Sequence, residues 1–307
     1  MAAPPPRSVL VTGCSSGIGL ALAARLARDP HGRFQVIATM RDLGKRQRLE
    51  EAAGSALGRT LSIQRLDVSS DSSVAECMAS IPGGHVDVLV NNAGVGHVGP
   101  LESTSLEQMK HVFETNFFGA VRMIRAVLPG MKRRRRGHIL VLSSVMGLQG
   151  EGQWERSAGS GKPMGAQHQQ WDVSLVEPGP VCTDFELKLL EEVSRSEYPG
   201  TDEVTLGYFK DVYIPASREI FRTLGQSPGD VAEAIVSVLC SPRPPLRAQT
   251  NALYTPVLAL KYADPTGELS VRGLHRMLFR HSALLRGSAA VLRCLTCGCL
   301  RTRVRPL

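Results

Sequence analysis

The feature that most restricts the fold is an alternation. Over the first 150 residues five short runs rich in apolar and β-branched residues, at 8–12, 34–40, 61–68, 86–94 and 138–144, are separated by amphipathic stretches at 17–28, 44–57, 71–81 and 105–130. The runs are apolar nearly throughout, not at every second residue, so each strand must be covered on both faces. Strand–helix repeats with right-handed crossovers meet that need by placing one parallel sheet between two layers of helices. The expectation is α/β, a doubly wound parallel sheet in a single domain, and 307 residues at 43% hydrophobic suffice for one large core.

The first run leads directly into Thr12-Gly13-Cys14-Ser15-Ser16-Gly17-Ile18-Gly19 and then into a helical pattern. Glycines at such a junction let the backbone turn sharply and approach a pyrophosphate, whose charge is met by the unpaired N–H groups and positive end of the helix. The second run ends in Ala38-Thr39-Met40-Arg41, without the acid that would bind a ribose hydroxyl. A guanidinium there suits a 2′-phosphate and favours NADP over NAD; the alternative is an arginine that merely ends the strand. Asp67 closes the third run, placed either to meet an adenine amino group or to form a turn.

The net charge of +8 is uneven, concentrated in KRRRR at 132–136 and in a tail with no acid after Glu268. Such clusters are either solvated faces or contacts for an anionic surface. Nucleic acid is set aside because aromatic stacking residues and a known binding module are lacking. Cys294, Cys297 and Cys299 crowd the tail beside arginines and Leu274, Leu278, Leu285, Val291 and Leu292. One C-x-x-C falls short of a four-ligand zinc site, so no metal is expected; acylation of these cysteines beside a basic amphipathic segment is. An odd cysteine count, no leader-like start and no apolar stretch near the roughly 18 residues of a span point to a cytoplasmic chain, peripherally membrane-associated through that tail.

Together TGCSSGIG at 12–19, LDV at 66–68, NNAG at 91–94, the Asn of ETNFFG, SS at 143–144 and PGPVCT at 178–183 resemble the short-chain dehydrogenase/reductase family. Within it, ATMRDL, TNFFGAVRM and VLPGMKRRRRGHILVLSS resemble the branch that handles retinoids and 17β-hydroxysteroids. The resemblance implies a Rossmann-type fold and an NADP(H)-dependent oxidoreductase of retinol/retinal or a steroid 17β-alcohol/ketone. It implies cofactor contacts from Thr12, Gly13, Cys14, Ser15, Ser16, Gly17, Ile18, Gly19, Arg41, Asp67, Val68, Asn92, Gly94, Pro178 and Gly179. Ser144 would hydrogen-bond the substrate oxygen, Asn116 would hold a relay water, and a homodimer is possible. Residues 183–224, with Phe185, Leu189, Leu190, Leu206, Tyr208, Phe209 and Tyr213, match the family's substrate lid, or else form the core of two helices.

The chain departs from the pattern where proton transfer should occur. The family's Tyr and Lys positions fall on Ser157 and Gly161, and none of the chain's five tyrosines has Lys four residues later. Residues 151–172 show neither strand nor helix periodicity and read as a disordered insert foreign to the fold, either an altered transcript or gene-model join or the mark of a diverged non-catalytic protein. The crossover helix after the fifth strand is expected to be disrupted, with sheet strands left unpaired or uncovered and a dimer weakened. The organisation read from sequence is thus a domain at 7–268 and a membrane-associating tail at 269–307. A nucleotide-binding variant without catalysis is the second functional reading.

Overall fold

The computed structural model of the chain describes residues 4–145, 171–255, 259, 263, 264, 266 and 268–276. The chain runs β1 (Arg7–Val11), α1 (Gly17–Ala27), β2 (Phe34–Met40), α2 (Gln47–Ala53), β3 (Leu61–Arg65), α3 (Asp71–Ser80), β4 (Val88–Asn91), α4 (Leu106–Phe113), α5 (Gly119–Arg134) and β5 (His138–Leu142). It continues with β6 (Asp172–Glu177), α6 (Asp184–Arg195), α7 (Glu203–Gly207), α8 (Ile214–Leu224), α9 (Pro228–Cys240), β7 (Arg247–Gln249) and α10 (Glu268–His275). The strands form one sheet in the order β3-β2-β1-β4-β5-β6-β7, every pair parallel.

Alternation along each strand divides the core into two layers. Val9, Val11, Val36 and Val88 face a cluster with Leu22 and Leu26 of α1 and Val231, Ile235 and Leu239 of α9. Leu10, Leu89 and Ile139 face the other side, against Val74 of α3 and Met123, Val127 and Met131 of α5. Met123 and Met131 are wholly buried, each contributing about 1.5–3 kcal/mol by removal from water. Covering both faces explains why the strands read as unbroken apolar runs.

Several boundaries differ from the sequence reading, each for a local reason. The stretch 44–57 is broken because Gly54 takes φ 54°, ψ −127°, which ends α2. The run 61–68 leaves the sheet after Arg65, where Asp67 folds back onto Ser69. The long helix expected at 105–130 extends to Arg134 and carries a π-turn at Glu114–Phe118 between α4 and α5. Ser105 and Gln108 form a reciprocal cap at its start. The Cβ that Gly119 lacks would stand 2.7 Å from Val68 Cγ2, so only glycine lets α5 approach the chain after β3.

The expectation of unpaired strands is corrected. β5 and β6 pair in parallel from His138 opposite Asp172 to Leu142 opposite Val176. Asp172 is the first residue of β6, and Trp171 is buried with the Lys132 ammonium 5.8 Å from its ring centre, so the sheet begins inside the stretch read as foreign. Residues 151–170, where the disrupted helix was expected, lie outside the described residues, as does the cysteine cluster at 294–299.

Candidate active site

The glycine turn lies where the strand order reverses, between β1 and β4, the place at which open parallel sheets bind nucleotides. Gly13 has φ 74°, and its missing Cβ would come 2.8 Å from Ala93 Cα; that of Gly19 would come 2.4 Å from both Asn92 Nδ2 and Gly13 O. The carboxyl ends of the two strands are bolted together by side chains. Thr12 Oγ1 accepts the N–H groups of Asn92 and Ala93 at 3.0 and 2.9 Å, while Asn92 Nδ2 donates to the carbonyls of Thr12 at 2.8 Å and Gly13 at 3.1 Å. The start of α1 is left uncovered: Ser16 is extended, its side chain makes no cap, and the first turn carries no acid. Unclaimed N–H groups without a competing carboxylate fit the pyrophosphate of a dinucleotide.

The structure sorts the residues expected to meet a cofactor. Gly13, Ser15, Ser16, Gly17 and Gly19 are brought together at the turn. Cys14 turns its side chain into the core: it is wholly buried, its N–H bonds Thr39 O at 2.8 Å and its thiol lies 3.3 Å from Val11 O. Burial pushes that thiol up to about 12, so it is an inert core group. Thr12 and Asn92 support the turn through the bonds above, Ile18 packs on the core, and the Val68 side chain is buried against Gly119. These residues shape the cradle from behind; any contact Val68 makes with a cofactor falls to its peptide group. Gly94 approaches the Asn116 amide, Pro178 O accepts the N–H of Val145 at 2.9 Å, and Gly179 lies beneath the Tyr254 ring.

At the far edge of the cradle Arg41 is exposed just beyond β2. Asp67 shows the turn-forming role, its Oδ1 accepting both the N–H and hydroxyl of Ser69 at 3.0 and 2.6 Å. Burial alone would raise the Asp67 carboxyl; the Ser69 bonds and the charges of Arg41 and Arg65 outweigh it and hold it low. Arg65, opposite Met40 in the sheet, adds positive charge at this edge and was not singled out by the sequence. Its signal is register: the β3 residue paired with the end of β2 must share that edge.

Ser144 follows β5 and is half-buried, between Ser143 and Val145, whose N–H groups bond Val176 O at 2.8 Å and Pro178 O at 2.9 Å. Asn116 sits in the π-turn, and its amide is engaged twice: Oδ1 accepts the Val95 N–H and Nδ2 donates to the Val95 carbonyl, both at 2.8 Å. Its first task is to clamp the loop after β4, which leaves one N–H and one lone pair for a water. Ser157 and Gly161 lie outside the described residues.

Beyond β6, Thr183 caps α6 and stands within 3.4 Å of the Cβ position of Gly17, so the lid region starts at the glycine turn. Phe185 and Leu189 press on Gly96, while Phe185 and Tyr208 remain about half exposed, at 46% and 54%. Phe209 stacks on Tyr213 at 5.4 Å and meets Tyr198 edge-on at 5.2 Å. The sequence reading overlooked Glu186. The Thr-x-x-Glu spelling marks the helix start, but the residue is 6% exposed and burial pushes its carboxyl up to about 7.

A sequence profile of the short chain dehydrogenase family matches residues 7–193. Retinol dehydrogenase 8 of Bos taurus is 60% identical over 310 residues, covering 98% of each chain. The 17-beta-hydroxysteroid dehydrogenase type 1 of Homo sapiens is 41% identical over 290 residues, covering 88% of this chain and 85% of that protein. Among solved structures, the closed form of serine dehydrogenase complexed with NADP+ superposes with a TM-score of 0.58 at 28% identity, over 76% of this chain and 90% of that one.

Proposed function

The chain belongs to the short-chain dehydrogenase family, and from that premise we propose that it is an NADP(H)-linked oxidoreductase of an apolar retinoid or steroid alcohol/carbonyl pair. The observation that carries this reading is the cradle at the β1–β4 switch, where Gly13, Gly17 and Gly19 leave room that a Cβ would fill beside an uncapped helix start. The dinucleotide, when bound, supplies or accepts the hydride. The first-turn N–H groups of α1 hold its pyrophosphate, and Arg41 with Arg65 gives the adenosine edge the positive charge that suits a 2′-phosphate. Ser144 donates a hydrogen bond to the substrate oxygen. Asn116 fixes the loop after β4 and retains capacity for one water. Exposed Phe185 and Tyr208, with the aromatic stack behind them, form the apolar cover for a lipid-like substrate.

Missing from this set is a positioned group that delivers the proton as hydride reaches the carbonyl carbon. Ser157 and Gly161 stand where the family places Tyr and Lys, and neither has suitable acidity. Positioned proton transfer contributes on the order of 10²- to 10⁴-fold, so the chain binds cofactor and turns over slowly. That substitution also favours a second reading, a nucleotide-binding protein without catalysis. We further read residues 269–307 as a membrane-associating tail; among the described residues no helix is long and apolar enough to cross a bilayer.

The test is a fluorescence titration with NADPH and NADH, followed by product analysis with all-trans-retinal and estrone. Tighter NADPH binding with slow, cofactor-dependent reduction of either substrate supports the oxidoreductase. NADPH binding with no product under single-turnover conditions supports the non-catalytic reading. Absence of dinucleotide binding by the folded chain removes both.

A further inference from the structure

The end of the sheet opposite the glycine turn holds a second concavity. A cavity of about 430 Å³ is lined by Arg7 at the start of β1, Arg33 before β2, Asp87 before β4, Arg136 and His138 around the start of β5, and Asp172 at the start of β6. That volume falls within the roughly 300–1,000 Å³ typical of small-molecule sites. It is remote from the cofactor cradle, since parallel strands present their amino ends here and their carboxyl ends there.

Two of the three guanidinium groups are held in place by the fold. Arg7 donates to Leu239 O at 2.6 Å and lies 5.1 Å from the centre of the Phe34 ring. Arg33 bonds both oxygens of Asp29, at 2.5 and 2.9 Å, and approaches the same ring at 5.5 Å. Arg136 is more exposed and reaches Asp87 Oδ1 only at 3.6 Å. Asp87 is otherwise engaged, accepting the Ser8 N–H at 3.0 Å and pairing with His85 Nε2 at 2.8 Å. Each guanidinium carries five N–H groups, so donors outnumber the acceptors that meet them. Burial holds the Arg7 guanidinium below its ordinary value, against the opposing pull of Cys240 and Asp87 and with smaller contributions from Arg136 and Arg33. The basic run at 132–136, which the oxidoreductase reading leaves without a task, leads directly into this cavity through Arg136.

We propose that this cavity is a binding site for a phosphate monoester group, held by the guanidinium groups of Arg7, Arg33 and Arg136 at the amino edge of the sheet. Pre-positioned guanidiniums suit a phosphate because its several oxygens accept paired N–H bonds from different directions. The group can arrive as free phosphate or as the headgroup of phosphatidic acid, and the chemistry of capture is the same.

The full chain is first saturated with NADP+, so that phosphate sites belonging to the cofactor are filled. Inorganic phosphate is then titrated against chloride at constant ionic strength, following thermal unfolding. Wild-type protein is expected to show saturable stabilisation. Arg136→Gln, at an exposed position that leaves the fold intact, should weaken the phosphate affinity roughly ten-fold, the effect of one charge-assisted hydrogen bond. Arg133→Gln, outside the cavity, should not, while Asp172→Asn should strengthen it by removing a negative charge from the lining. Co-sedimentation with phosphatidylcholine vesicles, with and without phosphatidic acid, distinguishes the sources: loss of phosphatidic acid-dependent binding in Arg136→Gln but not Arg133→Gln assigns the lipid headgroup. An effect of Arg136→Gln on free phosphate alone assigns the soluble ion. Phosphate acting no differently from chloride and vesicle binding unchanged by Arg136→Gln would overturn the proposal.

Discussion

Replacing Gly19 with alanine tests the cradle where two effects oppose one another. In an ordinary helix the change is favourable by about 1 kcal/mol. Here the new methyl would lie 2.4 Å from Asn92 Nδ2 and 2.4 Å from the Gly13 carbonyl oxygen. The Asn92 amide is held by two hydrogen bonds, to Thr12 O and Gly13 O, each worth about 0.5–1.5 kcal/mol. Forcing them apart adds to an overpacking cost of about 1–3 kcal/mol. The net expectation is destabilisation of roughly 2 kcal/mol, near a thirty-fold change in the folding constant, together with weaker NADPH binding. The structure also fixes the outcome of a rescue. Asn92→Ala removes one obstacle, but the Gly13 carbonyl stands equally close, so Gly19→Ala should remain destabilising in that background. Urea unfolding and NADPH titration of the two single variants and the double variant provide the measurement. A Gly19→Ala protein as stable as the original with unchanged NADPH affinity, or full rescue by Asn92→Ala, would refute the argument from close approach.

Three further expectations are independent of that one. Glu186 is raised from its ordinary 4.5 to about 7 and His138 lowered from 6.5 to about 4, both chiefly by burial. As pH rises from 4.5 toward 7 the unfolded chain releases the Glu186 proton while the fold keeps it, so stability falls. As pH drops from 6.5 toward 4 the unfolded chain protonates His138 while the fold resists, so stability falls in that direction instead. Each effect has a ceiling of roughly 3 kcal/mol, and urea unfolding of Glu186→Gln and His138→Gln should give difference curves against wild type of opposite slope; curves of the same sign would contradict the assignments. Arg41→Asp should turn a preference for NADPH into one for NADH, with a change on the order of ten- to a hundred-fold; equal affinities for the two cofactors before mutation would remove the argument. Replacing Cys294, Cys297 and Cys299 with serine should release the protein from membranes in cell fractionation, since a basic amphipathic segment without its acyl chains binds marginally; an unchanged membrane fraction would count against acylation.

The sheet was legible because its signals are local. Nearly continuous apolar runs and the glycine turn each lie within a few residues, and the structure keeps both. What escaped depends on residues brought together from afar. Nothing near Thr12 or Asn92 indicates that they bond one another across 80 residues, or that the Asn116 amide closes on Val95. Cys14 sits inside the glycine motif yet turns into the core, because the direction of a side chain at a turn is set by the strands it joins. Glu186 was overlooked because it is buried by packing that its own helix does not specify. The pairing of β5 with β6 shows in turn that the chain on either side of 151–170 builds a complete sheet, although nothing in that stretch foretells it.

The central claim is that this chain has the cofactor cradle of an NADP(H)-linked oxidoreductase and lacks the proton-transfer pair. The most direct measurement is the single-turnover rate of retinal reduction by bound NADPH, for the chain as it stands and for one in which a Tyr-x-x-x-Lys helix replaces residues 151–170, leaving Trp171 and the start of β6 in place, with NADPH affinity and thermal unfolding recorded for both. Comparable affinity and cooperative unfolding, with a rate on the order of 10²- to 10⁴-fold higher in the restored chain, is the result expected. Equal rates from two folded, NADPH-binding proteins would contradict the claim and require a proton donor elsewhere in the site.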